Sequence, residues 1–95
     1  MNIPNEHVFS LIEKELERQI KKFGEQNHHP LEWSVILGEE VGEVNRAVVE
    51  SHFNNVSWDN YLEELVQVAA VSVAMIKCYH KNHGKEYKLN KKDIL

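Results

Sequence analysis

The amino-acid sequence predicts a small all-α protein. Apolar residues recur at three- and four-residue steps along most of the chain, and the two-residue alternation of a half-buried strand is missing from the sequence. Two prolines and four glycines occur among 95 residues, of which 42% are hydrophobic. A chain of this length forms one domain with a thin core. We therefore expect a helical domain over residues 1–84, followed by a partly ordered, mildly basic tail over 85–95.

The first predicted helix spans residues 4–23. Proline is tolerated in a first helical turn, so Pro4 can begin the helix, and Gly24 is placed to end it. One apolar stripe follows the helical spacing. Its members are Phe9, Ile12, Leu16, Ile20 and Phe23.

The second predicted helix spans residues 30–52 and begins at Pro30, after a loop over 24–29. It too is amphipathic, with an apolar stripe that we expect to be buried. The stripe consists of Trp33, Ile36, Leu37, Val41, Val44, Ala47 and Val48.

The third predicted helix spans residues 58–83, with Ser57 as its N-cap and Gly84 at its end. Residues 66–76 are apolar on nearly all sides, so they need more cover than two short helices provide. We therefore expect a central helix that also forms a subunit interface, in a homodimer or a homotetramer.

Charge and composition exclude several classes of function. The formal net charge is -4, and no basic face runs along the chain, which argues against a nucleic-acid partner. A lone cysteine, Cys78, suits the reducing cytoplasm. The N-terminus has no signal-peptide pattern, and the uncharged run over 65–76 is shorter than the roughly 20 residues that span a bilayer. We predict a cytoplasmic protein without a membrane partner.

Carboxylates interrupt the apolar stripe of the second predicted helix. At about 100° per residue, Glu40 falls near the middle of the stripe, Glu43 at its edge and Glu39 just beyond. On the third predicted helix, Glu64 and Gln67 are three residues apart and share one face. Two neighbouring helices can therefore present facing acidic side chains.

Facing carboxylates inside a bundle require compensation. Two unit charges about 4 Å apart repel by about 4 kcal/mol at an effective dielectric constant of about 20. A divalent cation removes this repulsion, and ligation by oxygen alone favours Mg²⁺, or Mn²⁺, over zinc. Because Mg²⁺ also takes phosphate oxygens, the expected ligand is a nucleotide or another phosphorylated molecule.

These residues carry a family resemblance. Glu39-Glu40-x-x-Glu43, followed after 20 residues by Glu64-x-x-Gln67, resembles the MazG-type branch of the all-α nucleoside triphosphate pyrophosphohydrolases. That superfamily includes dimeric dUTPases, dCTP pyrophosphatases and phosphoribosyl-ATP pyrophosphohydrolase. Its signature is EExxE on one helix and ExxD on the next.

The resemblance covers about residues 23–76 and implies a MazG-like helical bundle. It also implies hydrolysis of a nucleoside triphosphate between the α and β phosphates, as in clearing excess or non-standard nucleotides. By position, Glu40, Glu43 and Glu64 would hold Mg²⁺. Glu39 would ligate the ion or orient and activate the attacking water.

Gln67 departs from the family pattern, which has aspartate at this position. An amide oxygen can coordinate a metal, but it brings no charge and cannot act as a base. We expect Gln67 to complete the ligand set as a neutral ligand. The departure also supports an alternative function, a relative that binds nucleotide or metal without hydrolysis and serves as a sensor or interaction module.

Four further residues are candidates for substrate binding. Trp33 could stack on the base or belong to the core, and His28 could bond the base edge or lie on the surface. A histidine shortly before a proline serves the base in the dCTP pyrophosphatase branch that the chain resembles, and His28-His29-Pro30 is similar. The lysines Lys21 and Lys77 could meet the triphosphate or belong to ordinary charged helix faces. A third alternative, a purely structural bundle, requires the glutamates to face solvent.

Overall fold

Three α-helices make up the part of the chain that the structure, a computed structural model, describes, residues 2–83. They are α1 (Asn5–Phe23), α2 (Pro30–Asn54) and α3 (Asp59–His83). The described region is all-helical, which confirms the predicted fold class, and each predicted helix boundary is within two residues of the observed one. The predicted tail, 85–95, and the predicted end of the third helix at Gly84 lie outside the described residues.

Local signals in the sequence set the helix ends. The backbone N–H of Gly24 donates to Ile20 at 2.8 Å, and the φ of Gly24 is 73°, a conformation that glycine adopts without strain. α2 begins with a capping box, in which the His29 side chain accepts from Leu31 N at 3.1 Å and Glu32 accepts from His29 N at 3.2 Å. These two signals terminate α1 and restart the chain as α2.

The connection between α2 and α3 is similarly specified. α2 ends at Asn55, whose φ of 56° is left-handed. Ser57 Oγ accepts from Asp59 N at 3.1 Å, which confirms Ser57 as the residue that caps α3. The hydroxyl of buried Ser51 donates to Ser57 O at 3.2 Å and holds this loop against α2.

α3 is the central helix, because α1 and α2 each pack against it rather than against each other. Ala70 is 0% exposed, and Trp33 of α2 packs with Val71 and Cys78 of α3 in the hydrophobic core. None of the helices within residues 2–83 is both long enough and apolar enough to cross a membrane.

The face that α1 presents to α3 overlaps only partly with the predicted stripe. Within that stripe, Ile12 and Leu16 are half-buried, whereas Phe9, Ile20 and Phe23 are largely exposed. The half-buried positions of α1 are Val8, Ser10, Leu11, Ile12, Glu15, Leu16 and Gln19. Four of them, Val8, Ile12, Glu15 and Gln19, repeat at four- and three-residue steps, which is the period of a helix seam. Because α1 contacts one helix only, it buries a narrow face, and that face includes a carboxylate and an amide.

The burial of α2 departs from the prediction at one position. Val41 is 42% exposed, although it was placed in the buried stripe. The positions that face α3 follow a four-three repeat that passes through Glu40, about 100° around the helix from Val41. These positions are Trp33, Leu37, Glu40, Val44, Ala47 and Ser51. Glu40 therefore occupies a seam position that would normally hold an apolar residue.

The close packing at Ala70 can be tested by enlargement. Ala70→Leu should lower the free energy of unfolding by about 1–3 kcal/mol, because the added atoms have no space between the packed helices. Ala69→Leu, at the half-buried neighbouring position, is the matched control and should cost less. Urea denaturation measures both, and equal losses would contradict the packing described.

Candidate carboxylate site

Glu40 of α2 and Glu64 of α3 meet at the side-chain amide of Gln67. With its nitrogen turned toward the carboxylates, Gln67 donates to Glu64 Oε2 at 3.0 Å and to Glu40 Oε2 at 3.2 Å. The opposite orientation would set the amide oxygen against two carboxylate oxygens, so hydrogen bonding selects the first. One amide thus bridges two acidic side chains on different helices.

The environment disfavours negative charge on both bridged carboxylates. Burial raises the pKa of Glu40 above its usual value, and the charge of Glu43 raises it further. Burial also raises the pKa of Glu64, with the charges of Glu40 and Glu43 next in importance. Desolvation and repulsion from the neighbouring carboxylates therefore both oppose ionisation of Glu40 and of Glu64. A cation at this position would relieve both effects.

α1 adds two residues to this electrostatic cluster. The charge of Glu15 contributes to the raised pKa of both Glu40 and Glu64, whereas the guanidinium of Arg18 lowers the pKa of Glu40. Arg18 donates to both carboxylate oxygens of Glu15, at 2.9 Å and 2.7 Å, and holds the pKa of Glu15 below its usual value. The Glu15 side chain is only 11% exposed, so this ion pair lies at the edge of the site.

The remaining predicted acidic residues lie farther out. Glu39 and Glu43 are exposed while Glu40 is half-buried, which agrees with their predicted order around the helix. A polar groove of about 240 Å³ runs beside the cluster, between α2 and the start of α3. Its lining residues are Glu43, Arg46, Ala47, Glu50, Asn60 and Glu64. Glu43 and Glu64 thus share one groove, and Glu39 lies on the flank of α2 away from α3.

The site has oxygen atoms that could ligate a metal ion, but they are not arranged as a complete metal-binding site. Among residues 2–83, no group of three or more histidine, cysteine, aspartate or glutamate side chains is arranged to hold a metal ion. Glu40 and Glu64 are separated by the Gln67 nitrogen, which is a donor and repels a cation. Rotating that amide by half a turn would present its oxygen instead. After this rotation, the oxygens of Glu40, Glu64 and Gln67 would match the ligands that a hard divalent cation prefers.

A second feature of the structure is a cavity of about 330 Å³ between α1, the loop that joins α1 to α2, and α3, with Trp33 as the lining residue from α2. Lys77 and Cys78 of α3 line it together with Leu16 of α1. Trp33 is 4% exposed, and within the described residues its indole N–H has no hydrogen-bond partner. Trp33 therefore belongs to the core and also presents an unused donor beside a cavity.

The other predicted substrate-binding residues are distributed unevenly around this cavity. The ring of His28 meets Trp33 edge-on, with centroids 4.8 Å apart, and its buried Nε2 also lacks a partner within the described part of the chain. The structure thus places His28 against Trp33, and Trp33 and Lys77 in the cavity lining, whereas His28 is not a lining residue. Lys21 is exposed on α1 and is not part of the cavity lining.

Glu15 and Arg18 were missed in the sequence because the larger apolar residues of α1 define a different stripe. The signal that could have revealed Glu15 is the four-three repeat through Val8 and Ile12, which continues to Glu15 and Gln19. A polar residue interrupts that repeat in α1, as Glu40 does in α2. When polar residues replace apolar ones in the packed faces of two helices that contact the same third helix, they indicate a polar layer shared by all three.

Comparisons with protein-family models, curated proteins and solved structures gave no match to this chain. The geometry of the site therefore carries the functional argument.

The strain at Glu40 can be tested through pH. Because the pKa of Glu40 is raised in the folded state, ionisation of Glu40 destabilises the fold. This destabilisation is absent below the unfolded pKa of 4.5 and grows as the pH rises through the folded pKa. We expect Glu40→Gln to raise the melting temperature of the metal-free protein by a few degrees at about pH 7.5 and to have little effect at about pH 4.

Glu17→Gln, at an exposed position of α1, provides the matched control. Melting in the presence of EDTA measures both variants across this pH range. A Glu40→Gln protein that melts below the wild type at neutral pH would show that the carboxylate stabilises the bundle.

Proposed function

We propose that this chain is a Mg²⁺-dependent nucleoside triphosphate pyrophosphohydrolase of MazG-like fold. The observation that carries the proposal is the meeting of Glu40 and Glu64, from two helices, at the amide of Gln67. Their raised pKa values mark a position where negative charge is concentrated and incompletely compensated. Perturbed acidic groups of this kind are typical of functional sites.

In this proposal, Glu40, Glu43, Glu64 and Gln67 supply the oxygen ligands of Mg²⁺, or of Mn²⁺ in its place. The ion, when bound, supplies neutralisation of the phosphate charge. Glu40 and Glu64 hold it between α2 and α3, and Gln67 turns its amide oxygen inward. By resemblance, Glu39 orients and activates the attacking water, although its exposed position requires the substrate or another subunit to bring the water to it.

The substrate would lie along the junction of α2 and α3. Trp33 precedes Glu40 by seven residues, which is about 10 Å along a helix. A nucleotide can span this distance, with its base in the cavity beside Trp33 and its phosphates over the carboxylates. The indole N–H of Trp33 and the Nε2 of His28 are buried without a partner among the described residues, so a base would reach them only after these side chains move. Lys77 lines the cavity and offers a positive charge.

The alternative proposal is a non-hydrolysing relative that binds nucleotide or metal as a sensor. The observation that favours it is the bridging role of Gln67, because an amide that satisfies both carboxylates reduces the need for a cation. A purely structural bundle is disfavoured, since Glu40 and Glu64 are half-buried and face each other's helices rather than solvent.

The activity can be tested directly with purified protein, Mg²⁺ and a panel of canonical and modified nucleoside triphosphates. We expect the corresponding monophosphate and pyrophosphate, resolved by ion-exchange chromatography. Glu40→Gln should reduce turnover by at least about 100-fold, because it removes a charged ligand. Glu17→Gln should retain activity.

Other products would exclude the proposed reaction. Diphosphate and inorganic phosphate would show cleavage at the wrong bond. Saturable, Mg²⁺-dependent nucleotide binding without turnover would instead establish the sensor.

Gln67 can be tested by adding the missing charge. We expect Gln67→Asp to lower the melting temperature of the metal-free protein, because it replaces a bridging donor with a third carboxylate. The same change should tighten Mn²⁺ binding roughly tenfold, since it adds a negative ligand.

Gln67→Asn is the control, because asparagine is as short as aspartate but carries no charge. It should weaken the hydrogen bonds to Glu40 and Glu64 without tightening Mn²⁺ binding. Isothermal titration calorimetry and thermal melting measure the two effects. Unchanged Mn²⁺ affinity in Gln67→Asp would remove Gln67 from the proposed ligand set.

A further inference from the structure

α2 has a second apolar face, which we call the outer face, opposite the one that packs on α3. It consists of Leu31, Val35, Gly38, Gly42, Val49 and Phe53. Leu31 and Phe53 are each 73% exposed, Val35 is 64% exposed and Val49 is 52% exposed. These residues lie on one side of the helix, at three-, four- and seven-residue steps, and therefore share one face rather than being isolated exposed residues. The polar residue Asn45 occupies the seam position between Gly42 and Val49.

The centre of the outer face is open to close approach by another helix. A methyl group added at Gly38 or Gly42 would meet no atom within 4 Å. Two adjacent turns therefore expose backbone between larger apolar side chains. Small residues near the middle of the outer face and large apolar side chains at both of its ends would allow a second helix to cross near Gly42.

The four large apolar residues of the outer face are placed symmetrically about Gly42, and Gly38 has Arg46 as its counterpart. If a second α2 helix lies antiparallel on this face, with a two-fold axis at Gly42, Leu31 faces Phe53 of the other copy and Val35 faces Val49. The two-fold axis repeats both contacts. A face that pairs with itself in this way indicates a second copy of the chain rather than an unrelated partner.

Charges on the flank of the outer face obey the same symmetry. Glu39 and Arg46 are seven residues apart, so they project on the same side of the helix, and their midpoint is also at residues 42–43. In the antiparallel arrangement, Arg46 lies opposite Gly38 of the other copy, one residue from Glu39, so the Arg46 and Glu39 side chains are close enough to pair. Arg46 now pairs with Glu50 at 3.1 Å, but its side chain is 68% exposed, so exchanging this partner costs little.

We propose that two copies of this chain associate through the outer faces of α2, antiparallel and centred on Gly42, with reciprocal Glu39–Arg46 pairs. This proposal relocates the subunit contact predicted for α3 to α2. It does not rest on the proposed function, because association is measured without metal or nucleotide.

The first test places a positive charge on the two-fold axis. Gly42→Lys would bring two lysines together and should weaken the dimer by more than about tenfold, because like charges at an interface are strongly unfavourable. Lysine favours helix more than glycine does, and the position is open, so the monomer should remain folded by circular dichroism. Glu17→Lys, on the exposed side of α1, is the control and should leave the dimer intact.

The second test determines the orientation of the helices. Glu39→Arg and Arg46→Glu should each weaken association, and the double variant should restore it, because the reversed pairs are again opposite in charge. Sedimentation equilibrium measures the dissociation constant of each protein.

Three outcomes would overturn the proposal. The wild type could remain monomeric at about 100 µM, Gly42→Lys could dimerise as tightly as the wild type, or the double charge variant could associate no better than either single variant. A dimer abolished by Phe9→Lys but not by Gly42→Lys would place the contact on the exposed face of α1 instead.

Discussion

The repulsion between carboxylates at the junction of the helices is the constraint on which the rest of the site depends. Glu40 occupies a seam position of α2, and Glu64 faces it from α3. In a domain of this size, a charged residue in the seam costs stability that few other contacts can offset. The bundle keeps the pair together through one neutral donor, Gln67 of α3, and through the guanidinium of Arg18 of α1, which lowers the pKa of Glu40. Each of these compensating groups comes from a different helix from Glu40.

Gln67 is suited to two states because an amide has a donor and an acceptor end. Its nitrogen satisfies Glu40 and Glu64 when no cation is present, and its oxygen can join them as a ligand when one is. Aspartate, which the resembled family has at this position, offers acceptors only. A chain with aspartate here would depend more on its cation for stability. In the proposed site, glutamine would make the metal-free bundle more stable than aspartate would and would bind the ion less strongly, which is compatible with both an enzyme and a sensor.

The fold could be predicted from the sequence to a large extent because its helix ends use local signals. Gly24, Pro30 and Ser57 act through their own backbone or side chain, so neighbouring residues suffice to recognise them. The facing surface of α1 could not be predicted in this way. It depends on which helix α1 packs against, and Phe9 and other large apolar residues indicated the wrong face. Glu40 and Glu64 could be predicted from the spacing within their own helices. The repeat that contains Glu15 is also present in the sequence, but only the tertiary structure shows that it, rather than the stripe of larger apolar residues, faces α3.

The two faces of α2 are electrostatically connected through Glu39. This residue lies on the flank of the helix, and its charge contributes to the raised pKa of the neighbouring Glu40. In the proposed dimer, Arg46 of the second copy would partly neutralise Glu39 and so relieve repulsion on Glu40. The same positive charge would reduce the attraction of the site for a divalent cation. Because coupling between two binding events is reciprocal, a bound cation would oppose the Glu39–Arg46 pair to the same extent. In these proposals, association and cation binding would therefore be partial substitutes, each compensating some of the negative charge that the sequence concentrates at Glu39, Glu40 and Glu43.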